Sequence, residues 1–408
     1  MIKKIFSSYV SPINFLILIA IIALIMLIIF FISVLFIRTP DNKDVLKYFD
    51  NNFLNKATNY NKTILLTSVA QKLLTWAFLV IIIFLLKNNS YINNRITIIA
   101  AAVIFIIFNI ILFLINLPLQ YYQEFVVEHR FALSSQTFSS WFTDILKDST
   151  ISIIINTLGL TAIYALIIYL PKHWWIAAAA VFILFIIIAS FIFPLIIDPL
   201  FYKFSPLNDT KLKQNIIDIT GKAGVNAGNI LVADASKKTN KVNAYFTGIG
   251  KTERIVIYDN LLNQYTKKEV LSVIAHEVGH WKYKHVIINI AIQSVAVVIL
   301  FFILSLLKSG LDMGISVKLI MIFLIVIMLI SFISTPLQNY ISRYFEKQAD
   351  KVALDLTNDP DTQILMFVKL AKSNLSDVKP GIIIKYMVYS HPPIMERINN
   401  INSNSNSN

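Results

Sequence analysis

The sequence predicts a mainly α, polytopic membrane protein. Three observations carry this reading. Seven apolar runs are each long enough to cross a bilayer. Charged residues make up only 14% of the chain against 56% hydrophobic ones. Two polar stretches interrupt the runs in such a way that both fall on one side of the membrane. An ordinary soluble domain carries about 25% charged residues. With a mean hydropathy of +0.67, the surplus apolar surface has to face lipid.

A crossing helix needs about 20 mostly apolar residues. Such runs extend from Ile13 to Ile37, Ile64 to Leu86, Ile96 to Leu119, Ile151 to Leu170, Trp174 to Ile197, Val286 to Leu307 and Ile315 to Ile333. The first follows Lys3 and Lys4. It is far longer than the roughly 7–15 apolar residues of a signal sequence and no small-residue cleavage site follows, so it reads as a retained helix. The polar stretches run from Asp198 to His285 and from Ser342 to the C-terminus. Both follow an odd-numbered crossing, so together they can form one domain. The expected organisation is 1–198 for helices one to five, 199–285 and 342–398 for the two parts of the polar domain, and 286–341 for helices six and seven. The Asn/Ser-rich tail 399–408 is expected to be disordered.

The loop from Arg38 to Lys62 shares the side of the polar domain and carries Arg38, Lys43, Lys47, Lys56 and Lys62. Excess basic charge marks the cytoplasmic face, which places the polar domain there. The net charge of +13 fits contact with anionic headgroups. No recognition motif accompanies it, so nucleic acid is not an expected partner. Gln71, Lys72, Asn109, Asn116, Asn156, Asn289 and Gln293 lie at membrane depth. Such groups either line a polar cavity or join helices by hydrogen bonds, and both readings stand. Within the first polar stretch, Asn229–Ala233 and Arg254–Tyr258 are rich in β-branched residues and read as strands, with Asn243–Phe246 as a possible third.

The chain has no cysteine and six histidines, so a metal site has to be built from His, Asp and Glu. Thr266-Lys267-Lys268-Glu269 is a capping box that starts a helix. That helix carries His276-Glu277-Val278-Gly279-His280. Residues i and i+4 lie about 40° apart around a helix, so both imidazoles can bind one ion while Glu277 reaches an attacking water. This is the H-E-x-x-H pattern of two zinc ligands and a general base. His285 falls about 180° from His276 if the helix continues. It is therefore excluded as a ligand and assigned to the solvated interface. A third ligand comes from elsewhere, with Glu346 the strongest candidate. It shares a helix face with Asp350, so one of the two can ligate zinc while the other accepts a hydrogen bond from a ligand imidazole. The competing reading pairs these acids with Arg343 or Lys347.

These residues, with Phe125–Thr137, Ile197–Leu207, NAYF at Asn243–Phe246, SRYFEKQAD at Ser342–Asp350 and HPP with Glu396-Arg397, carry a resemblance. The chain resembles the type I CAAX prenyl endopeptidases and their bacterial relatives, membrane-embedded gluzincins. The resemblance implies seven helices around a chamber and one Zn2+ per chain held by His276, His280 and Glu346. It implies that Asn243 begins the strand that pairs with substrate, that His391 stabilises the oxyanion, and that Asp350 and Arg397 support the ligands. The implied activity is a zinc metalloendopeptidase that removes C-terminal tripeptides from prenylated proteins. The implied membrane is a bacterial inner membrane or the ER membrane, and the partners are the bilayer and a peptide or protein substrate, prenylated or membrane-associated. A broad-specificity quality-control protease uses the same chemistry. A protease cutting at bilayer depth is disfavoured by Lys267, Lys268, Lys282 and Lys284 around the motif. A non-enzymatic scaffold or transporter with a structural zinc would have no need of Glu277.

Overall fold

The computed structural model describes residues 11–86, 95–248, 253–311 and 313–405. Lys3, Lys4 and the tail residues 406–408 lie outside them. Among the described residues, seven helices are long and apolar enough to cross a membrane. They are α1 (Pro12–Leu35), α2 (Asn51–Leu85), α3 (Arg95–Gln120), α4 (Phe138–Tyr169), α5 (Trp174–Ile196), then, after a short polar helix, α6 (Thr210–Lys222), and the site helix α7 (Lys267–Lys282), the last two crossing helices α8 (His285–Gly310) and α9 (Val317–Thr357). The C-terminal segment adds α10 (Pro360–Asn374), α11 (Ile382–Val388) and α12 (Ile394–Ser405).

Two of the expected elements change on folding. The segment from Arg38 is not a loop as far as Lys62, because α2 begins at Asn51, capped by Asp50, whose carboxylate accepts from Phe53 N–H. Val45, Phe49 and Leu54 then bury themselves in the same apolar core as Ile255, Val270 and Ile398, which fastens this segment to the polar domain. The tail is helical as far as Ser405. Ile401 fills that core at 4% exposure and Asn402 Nδ2 lies 3.3 Å from the Tyr48 hydroxyl, so packing orders a segment whose composition alone would not.

The crossing helices enclose an apolar core of their own, in which Trp174 stacks on Phe323 at 5.5 Å. α9 has 41 residues, about 60 Å at 1.5 Å per residue against a hydrocarbon core of about 30 Å. Its C-terminal part therefore leaves the membrane still helical, carrying Glu346 and Asp350 into the polar domain. Of the polar groups at membrane depth, Asn109 satisfies itself on the Phe105 carbonyl at 2.8 Å. Asn116 donates to Thr75 Oγ1 at 3.2 Å and joins α3 to α2. Gln71, Lys72 and Asn116 also line a cavity of about 600 Å³ between α2, α3 and α9, so both kinds of use occur.

The polar domain holds a four-stranded sheet in the order β1-β2-β4-β3, with β1 Phe204–Pro206, β2 Asn229–Ala233, β3 Ala244–Thr247 and β4 Arg254–Tyr258. β2 and β4 are parallel, while β1 and β3 add antiparallel at the two edges. β1 had no signal in the sequence, since a proline is confined to strand edges and ends. β3 is an edge strand and starts directly after Asn243, whose carbonyl accepts from Tyr258 N–H at 3.0 Å.

Candidate metal centre

α7 starts where the capping box places it. Thr266 Oγ1 accepts from Glu269 N–H, and Glu269 Oε2 accepts from Thr266 N–H at 2.7 Å. The ion pair of Glu269 with Lys369, at 2.8 Å, ties this helix start to α10. Three and four turns later the helix presents His276 and His280, with their Nε2 atoms 3.2 Å apart. Glu346 comes from α9, with Oε2 3.2 Å from His276 Nε2 and Oε1 3.3 Å from His280 Nε2. One donor atom from each of the three lies within 4.8 Å of the others.

The two helices can approach this closely because position 279 is glycine. A Cβ there would sit 2.7 Å from the Ala349 Cα, so α7 rests directly on the backbone of α9 within one turn of His276, His280 and Glu346.

Each ligand imidazole is keyed from behind. His276 Nδ1 lies 2.9 Å from Asp350 Oδ1, and Asp350 is gripped by the Arg397 guanidinium, whose Nε donates at 2.8 Å. Arg397 in turn lies 4.0 Å over the Phe367 ring. His280 Nδ1 lies 3.0 Å from His285 Nδ1, and His285 Nε2 lies 3.0 Å from Gln348 Oε1. A proton on each ligand's Nδ1 satisfies both relays and leaves both Nε2 lone pairs facing Glu346.

The donor set fits a divalent ion. Two ring nitrogens and a carboxylate converge, and the buried Glu346 Oε2, though 3.2 Å from His276 Nε2, makes no hydrogen bond among the described residues. Burial opposes charge on His276, yet Asp350 and Glu346 outweigh it and hold the ring protonated up to about 10. Two His and one carboxylate are a familiar catalytic set that leaves a coordination position open.

His285 corrects the expectation. It is 2% exposed, stacked on Phe345 at 4.3 Å, and supports His280 rather than facing solvent. α7 ends at Lys282, Lys284 takes a left-handed φ of 55°, and His285 opens a new helix. The 180° argument assumed one continuous helix, and no Gly or Pro marks the break. Gln348 was missed for the same reason. His285→Ala is expected to weaken metal retention by about 10–100-fold, read as metal content against a graded chelator. Retention equal to wild type would reduce His285 to a packing residue.

The competing reading of the α9 acids does not hold. Arg343 donates to the carbonyls of Lys385 and Tyr389, at 3.0 and 2.6 Å, and Lys347 pairs with Glu396 at 2.8 Å. Arg343 thereby anchors the segment leading to His391, whose Nε2 stands 3.3 Å from Glu346 Oε1. Glu277 points into the same space. Desolvation pushes its carboxyl above the ordinary carboxylate range, while His276 and His280 pull it down and the Phe246 backbone N–H of β3 favours the ionised form. Asn243, His276, Glu277, His391 and Arg397 line one cavity of about 380 Å³. Asp377 is also in its wall, a residue nothing in the sequence pointed to.

The fold and this site define a membrane-integral metalloprotease. The peptidase family M48 model matches residues 206–405, and a model of the CAAX prenyl protease N-terminal region, five membrane helices, matches residues 38–203. The chain belongs to peptidase family M48. It is 33% identical over 310 residues to the uncharacterized metalloprotease YhfN of Bacillus subtilis, covering 74% of this chain and 72% of that one. It is 30% identical over 310 residues to CAAX prenyl protease 1 of Saccharomyces cerevisiae, covering 70% and 68%. The crystal structure of S. mikatae Ste24p shares the fold, with a TM-score of 0.79 at 23% identity over 95% of this chain and 98% of that one.

Proposed function

We propose that the protein is a zinc endopeptidase acting on prenylated or otherwise membrane-associated proteins, with its catalytic domain on the cytoplasmic side. In this reading residues 199–285 and 342–398 are the two parts of that domain, and His276, His280 and Glu346 are the ligands. The observation that carries it is the shared cavity: a metal-type donor set, an acid free to move a proton, and the start of an unpaired strand edge open onto the same space. Bound zinc would supply Lewis-acid polarisation of the scissile carbonyl and of the attacking water. Glu277 takes the water's proton and returns it to the leaving amine. The outer edge of β3, beginning at Asn243, offers backbone groups that an extended peptide can pair with. His391, held beside Glu346 by the Arg343-anchored segment, donates to the developing oxyanion. Asp350 and Arg397 hold His276 in register. The basic residues between Arg38 and Lys62, on a segment whose Val45, Phe49 and Leu54 pack onto this domain, support the cytoplasmic placement.

The test uses detergent-purified protein, assayed for zinc content and for cleavage of a farnesylated peptide ending in a CAAX sequence beside its unprenylated twin. Cleavage confined to the prenylated peptide is expected. Equal cleavage of both would favour a broad quality-control protease, a reading that the similarity to a bacterial metalloprotease keeps in view. Zinc-loaded protein that cuts neither would overturn the substrate assignment.

A further inference from the structure

The cavity between α2, α3 and α9 contains a cation that the catalytic site does not use. Lys72 lies about 12 Å beyond Ile64 along α2, well inside the apolar part of that helix. A lysine at such depth is costly and is kept where it faces a polar space with work to do. Its ammonium rests 5.9 Å from the centroid of the Phe332 ring. None of the ion pairs among the described residues includes it. Gln71, Thr75, Asn116, Gln120, Ser331 and Thr335 line the cavity with it. Their amides and hydroxyls can donate, no carboxylate is among them, and the one charge present is positive. Such a lining suits a single negative charge.

The place of this cavity relative to the metal site is set by α9. Thr335 and Glu346 lie on one continuous helix, about three turns and 16 Å apart, and within about 20° of the same face. Pro336 between them removes one helical hydrogen bond without ending the helix. The face of α9 that brings Glu346 to the histidines thus also brings Ser331 and Thr335 to Lys72. An extended peptide advances about 3.3 Å per residue. With its scissile bond at the metal site, a peptide running along α9 covers the distance of about 16 Å to the level of Thr335 in about five residues.

We propose that Lys72 anchors the C-terminal carboxylate of the substrate, so that the distance from Lys72 to the metal centre sets how many residues are released. The proposal rests on the protease reading above. A carboxylate fits the cavity's single positive charge and its neutral donors, whereas a dianionic phosphate would call for more cationic groups. Lys72 is a specificity residue in this account and takes no part in the proton transfers of hydrolysis.

The test compares two peptides that differ only in a C-terminal carboxylate or carboxamide, cleaved by full-length wild type, Lys72→Met and Lys72→Arg. Wild type is expected to prefer the carboxylate by about tenfold in kcat/KM, carried mainly by KM. Lys72→Met should cleave both at the wild-type carboxamide level, and Lys72→Arg should restore the preference. Equal cleavage of the two peptides by wild type overturns the proposal whatever the variants do. A carboxylate preference surviving in Lys72→Met overturns it too, as does an equal loss on both peptides, which would point to a lipid or packing role. Failure of zinc-loaded wild type to cut any peptide would overturn the substrate assignment on which the proposal rests, a result distinct from cleavage without carboxylate preference.

Discussion

Glu277→Gln is expected to keep its metal and lose peptide hydrolysis by about 10²–10⁴-fold. The glutamine is nearly isosteric and keeps an oxygen for the Phe246 backbone N–H, so the donor set of His276, His280 and Glu346 stays assembled. What disappears is the ability to take and return a proton beside the metal. Two readings separate the outcomes: metal content per chain, and kcat under single-turnover conditions. Full metal content with collapsed kcat supports the role given to Glu277. Near wild-type turnover would mean that another group moves the proton. Loss of metal would mean that Glu277 holds the site together rather than working in it.

The second large effect is expected at Gly279. Adding a side chain there forces α7 away from α9, because the nearest obstacle is the Ala349 backbone at 2.7 Å and not a side chain that can swing aside. Gly279→Leu should therefore destabilise the polar domain by about 1–3 kcal/mol or more. It should also part both histidines from Glu346, lowering Tm and metal content together. Gly221→Ala is the control. It is also helical, has nothing within 4 Å of the added Cβ, and should be neutral or stabilising by up to about 1 kcal/mol. Stoichiometric metal and an unchanged Tm in Gly279→Leu would show that the ligands do not depend on this close approach.

The features legible beforehand were local ones. An apolar run of about 20 residues has one low-cost solution in lipid, a helix that satisfies its own backbone. The crossing helices were therefore readable from composition, with errors only where polar amphipathic turns extend them, as at Phe138–Thr150 and Asn51–Lys62. His276, Glu277 and His280 were readable because i, i+4 spacing on a capped helix fixes their relative directions before any tertiary contact forms. Glu346 was reachable as a candidate from its face-sharing with Asp350, and the resemblance to a known family raised it above Asp350.

The features that escaped depend on contacts between distant segments. His285 was assigned to solvent because a helix break at Lys284, with its left-handed backbone and no glycine, leaves no mark in the residue pattern. Phe345 and Gln348 from α9 supply the partners that make the break worthwhile. The tail was assigned to disorder because Asn and Ser dominate it, yet Ile398 and Ile401 find a core assembled from α10, the sheet and the segment before α2. Lys72 could be flagged at membrane depth, but only the meeting of three helices surrounds it with donors. The sequence by itself determined which segments enter the membrane and which side chains can bind a metal, since both follow from hydrophobicity and helical periodicity. The tertiary structure alone decided that His285 and Gln348 support His280 and which helices meet around Lys72. How closely the three ligands converge is set by the approach of α7 and α9 at Gly279 and Ala349, a steric fact shared between two segments and written in neither.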